Sequence, residues 1–246
     1  MKKFLSLMLA IAMLFALGAV LVGCTLTHRV TTTTRVEVGD IVQFGPYEWR
    51  VLYLIDGHAL LITEYIVAVG RYHNTEEDVT WETSDIRAWL NGEFLERFDA
   101  ASRSRIAQVT AYNPDNPWEG TPGGGNTQDH IFLLSLEQAV YLFAQDEDRI
   151  AFINDRALLE QWAEDNYEWR GTTADELLTE LGGTLPAPFP WWMRSPGNNS
   201  NSAAMVFTTG QVNMFTYVSY SHALRPAVLV PADIFDVTHE VTRVIA

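Results

Sequence analysis

A single cysteine, Cys24, occurs in 246 residues. Its solitude excludes an internal disulfide, so packing must supply the stability of whatever folds here. Basic residues are also scarce, with 16 Lys and Arg against 31 Asp and Glu and a formal net charge of −15. Nucleic-acid binding needs clustered Lys and Arg to displace counterions, so no nucleic-acid partner is expected. The acidic balance reads as a solvated surface that aids solubility. Catalytic signatures are missing too. The chain contains no G-x-S-x-G nucleophile elbow, P-loop or Rossmann fingerprint. No two of the six histidines stand at i, i+4 with a glutamate after the first, as zinc proteases require. No internal repeat and no long internal linker is visible.

What is present begins with the first 23 residues. Met1-Lys2-Lys3 supplies a positive start, Phe4 to Val22 is apolar and uncharged, and Leu21-Val22-Gly23-Cys24 closes the segment. A small residue before a lone Cys at the end of such a run resembles a bacterial lipobox. The resemblance implies a signal peptide over 1–23, cleavage before Cys24, lipidation of its thiol and a membrane partner through that anchor. An ordinary secretory signal or an uncleaved anchor helix would share part of this pattern. Cleavage would remove Lys2 and Lys3 and shift the net charge to −17. Residues 24–35, with four consecutive threonines at 31–34, read as a polar tether. Residues 36–246 then form one domain, where 48% apolar content and eight tryptophans imply a large core.

Early segments alternate in the manner of strands. Val36–Val38 and Ile41–Phe44 suggest a small hairpin, and Tyr47–Ile55 with His58–Thr63 around Asp56-Gly57 gives the clearest hairpin signal. Ser84 can cap a helix carrying Ile86, Trp89, Leu90, Phe94, Leu95 and Phe98 on one stripe, weakened at Gly92. A short helix is expected over 103–109, a loop over 113–128 and a strand over 129–134. Ser135 to Gln138 has capping-box spacing and opens a helix expected to bury Val140, Leu142 and Phe143. Residues 146–185 are acidic and helical, with an apolar stripe at Ala157, Leu158, Leu159 and Trp162, a second capping box at Thr173 and a stop at Gly182-Gly183. Short strands follow over 204–207, 211–214 and 224–230, with an edge strand in the tail 233–245. The fold class expected is α+β.

Candidate chemistry is sparse. Asn113, Asp115, Asn116, Asn126 and Asp129 crowd oxygen atoms around a Gly-rich loop, which admits calcium or plain turn chemistry. No metal ligand set is assigned. Arg194 and Arg225 sit among apolar residues, where an unpaired charge is costly. Both are expected to be structural, bonded to buried carboxylates or carbonyls, with Asp129 a candidate partner and Trp191 and Trp192 as neighbouring scaffold. An anion-binding arginine pair is the alternative.

Five motifs occur in order: F-G-x-Y-x-W-R-V-L at 44–52, T-W-E-x-S-x-I-R-x-W-L-N at 80–91, D-x-I-F-L-L-S at 129–135, W-W-x-R-S-P-G at 191–197 and L-R-P-A at 224–227. Together they resemble the bacterial domain of unknown function 6273 over about residues 36–231. That family looks related to the C-type-lectin-like fold, shared with formylglycine-generating enzymes and with the variable proteins of diversity-generating retroelements. The family's glycine before R-P-A is replaced here by Ala223-Leu224, and the acidic stretch before Trp191 is longer than usual. Formylglycine-generating chemistry uses cysteines, which this domain lacks, so no catalytic residue is carried over.

Between the two arginine motifs lies a neutral segment of Asn, Ser, Thr and aromatic residues. Asn198, Asn199, Asn201, Ser202, Phe207, Thr209, Gln211, Asn213, Phe215, Tyr217, Ser219, Tyr220 and His222 form its candidate ligand surface. Aromatic rings give broad contact at small entropic cost, while Ser and Asn adapt their hydrogen bonds, as in antibody loops. In retroelement-diversified proteins of the related fold the variable region precedes the closing strand, which this segment resembles. The competing reading is that Asn, Ser and Thr make turns and that Tyr217 and Tyr220 pack on the core. The function expected is non-catalytic recognition of a surface protein or glycan on a lipid-anchored, extracytoplasmic domain. The alternatives are an envelope enzyme, with Trp118, Trp191 and Trp192 stacking on sugar, and a structural envelope lipoprotein.

Overall fold

Two five-stranded sheets organise residues 35–236, and the computed structural model describes residues 26–245. Cys24 and the expected signal peptide lie outside the described residues. The first sheet runs, in spatial order, through Ile41–Phe44, Tyr47–Ile55, His58–Thr63, Ala227–Pro231 and Ile131–Phe132, all antiparallel. The second runs through Val212–Tyr217, Ser202–Val206, Trp191–Pro196, Ser221–Leu224 and Ala68–Arg71. Its single parallel contact joins Trp191 to Ala223. Three two-stranded sheets add Val109–Ala111 with Thr127–Asp129, Ala151–Ile153 with Ala187–Phe189, and Leu26–Thr34 with Val237–Ile245. The architecture is mixed α+β.

Leu26–Thr34, within the expected tether, is extended and pairs residue for residue with the tail strand, from Leu26 opposite Ile245 to Thr34 opposite Val237. These two segments form a unit of their own, apart from 35–236.

Local chemistry explains most of the first sheet. Asp56 and Gly57 take positive φ values of 47° and 76°, as the tight hairpin turn between Ile55 and His58 requires. Gly45-Pro46, whose effect in the sequence is to break the chain, is the two-residue turn that pairs Phe44 with Tyr47. The expected Val36–Val38 strand is absent from the paired elements; Gly39 N–H instead donates to Val51 O. Trp49 Nε1 donates to Phe44 O at 2.8 Å, and Tyr47 stacks on Phe94 at 5.4 Å between ring centroids. The aromatic stripe read from the sequence therefore seats its helix on this sheet.

That helix is interrupted. Asp85–Trp89 is α-helical, Leu90–Phe94 widens into a π turn and Leu95–Arg97 tightens to a 3₁₀ turn. Gly92 lies in the wide turn, and Asn91 supplies the reason for it. Its Nδ2 donates to both Arg87 O and Ile131 O, while its Oδ1 accepts from His130 and Ile131 N–H. A side chain that binds the ladder and a neighbouring strand together favours such a bulge. The expected helix at 103–109 is instead Ala100–Arg103, capped by Asp99, and Val109 opens a strand. The expected strand at 129–134 divides into Thr127–Asp129 and Ile131–Phe132. Both capping boxes form, at Ser135 with Gln138 and at Thr173 with Glu176. The first helix buries Leu136 and Ala139, however, and leaves Val140 exposed.

The expected strand at 224–230 is two strands in different sheets. Pro226 has no N–H to continue a ladder, so the chain leaves the second sheet after Leu224 and enters the first at Ala227. The earlier crossing, from His58–Thr63 to Ala68–Arg71, meets it there, since Thr63 N–H donates to Pro226 O and Arg225 Nε to Thr63 O.

Candidate functional site

The acidic helical stretch and the neutral segment meet across one cleft of about 430 Å³. Its walls are Trp162, Leu177 and Phe189 on one side and Phe207, Phe215 and His222 on the other. The helices Arg156–Asp165, Tyr167–Arg170 and Ala174–Glu180 build the first wall. Asp155 and Thr173 cap the first and last of them, and Gly171, with φ of 64°, turns the chain at the C-terminus of the middle one. Asn166 fixes the stretch to the second sheet by donating from Nδ2 to Ser221 O and accepting from Ser221 N–H. Ser221 Oγ donates to Asp165 at 3.0 Å. The acidic helical stretch is thus a wall of the cleft.

Two residues that line this cleft carry unpartnered buried nitrogen atoms. Trp162 Nε1 and His222 Nδ1 are both buried and have no hydrogen-bond partner among the described residues. Trp162 is 3% exposed and His222 7%. Their rings lie 6.3 Å apart, and Trp192 meets His222 edge-on at 4.9 Å. Burial chiefly, with the nearby Arg170 charge second, pushes the His222 pKa down to about 3, so its ring is neutral at pH 7. Arg170 lies over the Trp162 ring at 5.5 Å and pairs with Glu180 at 2.6 Å, placing one ion pair among the cleft-lining residues. An unmade hydrogen bond at a buried indole or imidazole costs about 1–3 kcal/mol, so a ligand able to reach either atom would gain that much. A neutral imidazole of such weakened basicity is suited to hydrogen bonding and poorly suited to proton transfer near neutral pH.

The candidate ligand surface is divided by the strand pleat. Asn199, Phe207, Thr209, Gln211, Phe215 and Tyr217 are exposed, with Phe215 at 66%. Asn198, Asn201, Asn213, Ser219 and Tyr220 are half-buried. Ser202 and His222 turn inward, contrary to display. Ser202 Oγ donates within its own turn, to Asn198 Oδ1 and Asn199 O, so it serves the bend at 198–202. Phe207, Phe215, Tyr220 and His222 line the cleft, while the remaining exposed residues are not among those that line it. Trp162, Leu177, Phe189 and Arg170 were outside the sequence-based candidate set. Trp162 stood on a helical apolar stripe, and periodicity alone does not distinguish a core tryptophan from a cleft one.

The two buried arginines differ. Arg194 donates from Nε to Asn113 Oδ1, from Nη1 to Leu133 O at 2.7 Å and Gln138 Oε1 at 2.6 Å, and from Nη2 to Tyr112 O. All of these acceptors are neutral. Asp129, the candidate partner, is taken by Arg87 at 2.7 Å, Trp81 Nε1 at 2.8 Å and Thr127 Oγ1 at 2.6 Å. Trp191 and Trp192 are fully buried, with Nε1 donated to Arg149 O and Gly70 O, so neither offers a face to sugar. Trp118 is exposed. Three side chains of the oxygen-rich loop accept from its own backbone: Asn116 Oδ1 from Trp118 and Glu119, Asp115 from Gly123 and Asn126 from Asn113. Among the described residues no group of three or more His, Cys, Asp or Glu converges as metal ligands.

A larger cavity, of about 570 Å³, is ringed by Tyr53, Tyr112 and Tyr141 and walled by Arg194. Each nitrogen of that guanidinium already donates, so the cavity presents apolar surface without an unsatisfied cation. Neither a curated protein nor a solved structure matches the chain. The family described as "Domain of unknown function (DUF6273)" matches residues 56–232. The match begins at Asp56 and not near Val36, so the 44–52 motif precedes it. Covering more than half of the sequence, it takes in the cleft, both buried arginines and the neutral segment, and the chain belongs to the DUF6273 family.

Proposed function

We propose that this protein is a lipid-anchored envelope protein whose 35–236 body, of C-type-lectin-like character, recognises a ligand without transforming it. One observation carries the reading. A cleft walled by the exposed rings of Phe207 and Phe215 is also lined by Trp162 and His222, each with a buried ring nitrogen that has no hydrogen-bond partner among the described residues. A ligand with an apolar ring or face and one or two polar groups satisfies both features, which suits a glycan or an aromatic peptide side chain. The exposed positions from Asn199 to Tyr217 would extend contact beyond the cleft, since their side chains face solvent without supporting the core.

The test is binding of the purified protein to glycan and peptide arrays, with and without calcium, followed by titration of any hit. Phe215→Ser, at an exposed position, is expected to weaken that hit by about tenfold or more while leaving the unfolding midpoint unchanged. A hit indifferent to Phe215, Phe207 and Trp162 substitutions would sink the cleft as the site. Turnover of a cell-wall fragment by the purified protein would replace recognition with catalysis. The diversified-display reading further requires a reverse transcriptase and a near-copy of the 198–222 segment beside the gene.

Anchoring rests on the Gly23-Cys24 boundary in the sequence. Cys24→Ser is expected to abolish incorporation of labelled fatty acid and move the protein out of the membrane fraction. Unchanged incorporation would assign the lipid elsewhere.

A further inference from the structure

Arg225, at the meeting point of the two sheet crossings, carries a charge without a bonded counter-ion. It is 2% exposed, and Nε donates to Thr63 O at 2.9 Å while Nη1 has no partner among the described residues. Its guanidinium lies 5.7 Å from the Trp191 ring centroid and 5.9 Å from that of Phe143. Glu64 attracts it through space, but both Glu64 oxygens are bonded to Arg50, at 2.9 and 2.6 Å. Ring faces offset only part of the cost of burying a cation, and a carboxylate with free lone pairs would offset far more.

A cavity of about 430 Å³ adjoins this arginine. Arg225, Arg50 and Phe143 line it together with Glu64, Glu147 and Asp148. Two cations and three carboxylates make the lining slightly negative. A simple anion would be drawn to Arg225 and repelled by the acidic residues, and a dianion more so. A simple cation would meet two guanidinium groups. A molecule bearing both charges a few ångströms apart satisfies both sets, and an apolar substituent suits Phe143.

We propose that this cavity binds a small zwitterion, an α-amino acid with an apolar side chain, its carboxylate on Arg225 and its ammonium toward Glu147 and Asp148. Because Nη1 is covered, entry displaces a side chain at the cavity wall. The site is separate from the cleft at Trp162 and His222 and does not depend on the reading given to that cleft.

Titration calorimetry of the purified protein at constant ionic strength decides the matter, with L-leucine, L-leucinamide and sodium acetate as probes. Leucine is expected to give saturable heat, and each singly charged probe to bind about tenfold more weakly or worse, the loss of one charge-assisted contact. Arg225→Met is expected to abolish the leucine heat. Glu64→Gln removes a competing carboxylate and releases Arg50, so it is expected to tighten leucine by about threefold. No saturable heat with leucine overturns the proposal, as does leucinamide or acetate binding as tightly as leucine. Leucine binding retained by a folded Arg225→Met variant also overturns it. If that variant does not fold, Glu64→Gln decides alone: unchanged or weaker leucine affinity rejects the site.

Discussion

Arg194→Leu is expected to cost about 3 kcal/mol of unfolding free energy, against about 1 kcal/mol for Arg225→Leu. Both arginines are buried, and burial lowers each pKa from 12.5 to about 10, which leaves both protonated at neutral pH. Their bonding separates them. Removing the Arg194 guanidinium takes the donor from Leu133 O and Asn113 Oδ1, both in buried bonds, and from Tyr112 O in a part-buried one. Gln138 Oε1 is spared, because it also accepts from Ser135 N–H. Each stranded acceptor costs about 1 kcal/mol or more, which exceeds the relief of removing a buried charge already surrounded by oriented dipoles. Arg225 strands only Thr63 O, and its uncompensated charge disappears with it. Urea unfolding of the two variants checks the difference, provided the slope of each transition matches the parent. Equal losses, or a larger loss at Arg225, would mean that bonding pattern does not set the structural weight of these residues.

Acid should destabilise the protein through His222 well before its carboxylates are exhausted. In the folded protein this imidazole stays neutral down to about pH 3, whereas in the unfolded chain it takes a proton near the ordinary 6.5. The unfolded state therefore binds more protons between those values, and stability falls as pH falls through that window. Above about pH 6.5 the residue contributes no pH dependence. Across the window the loss is on the order of 5 kcal/mol. Measuring unfolding free energy from pH 4 to 8 for the parent and for His222→Gln isolates the contribution, since the variant keeps a polar side chain without a titrating one. The difference curve should be flat above about pH 6.5 and bend downward below it. Parallel curves would show that His222 is hydrated or protonated in the native state. A ligand that bonds Nδ1 with a donor would hold the ring neutral and deepen the bend.

Much of this molecule follows from short-range rules. The Asp56-Gly57 hairpin, the caps at Ser84, Ser135 and Thr173 and the stop at Gly182-Gly183 each depend on a few consecutive residues, whose conformational limits are the same in any context. The aromatic stripe of residues 86–98 was equally legible, because helical spacing puts those side chains on one face. Errors fell where a distant partner decides. The segment 224–230 has the composition of one strand, yet Pro226 lets it serve two sheets, and only the sheets make that visible. Residues 127–134 divide because Asn91, about forty positions away, takes the N–H groups of His130 and Ile131.

Composition fixed the chemical character of this protein: an acidic chain with a lone cysteine, an aromatic core, two arginines in apolar surroundings and a neutral, ring-studded segment between them. Those properties belong to residue types and their neighbours, so they needed no coordinates. Tertiary structure alone decided which nitrogen atoms lack partners. Asp129 went to Arg87 and not to Arg194, Trp162 came to face His222, and Arg225 was left with one carbonyl and two rings. Hydrogen-bond satisfaction depends on distances of a few ångströms between residues tens of positions apart, and it was settled only when the sheets and the acidic helices packed.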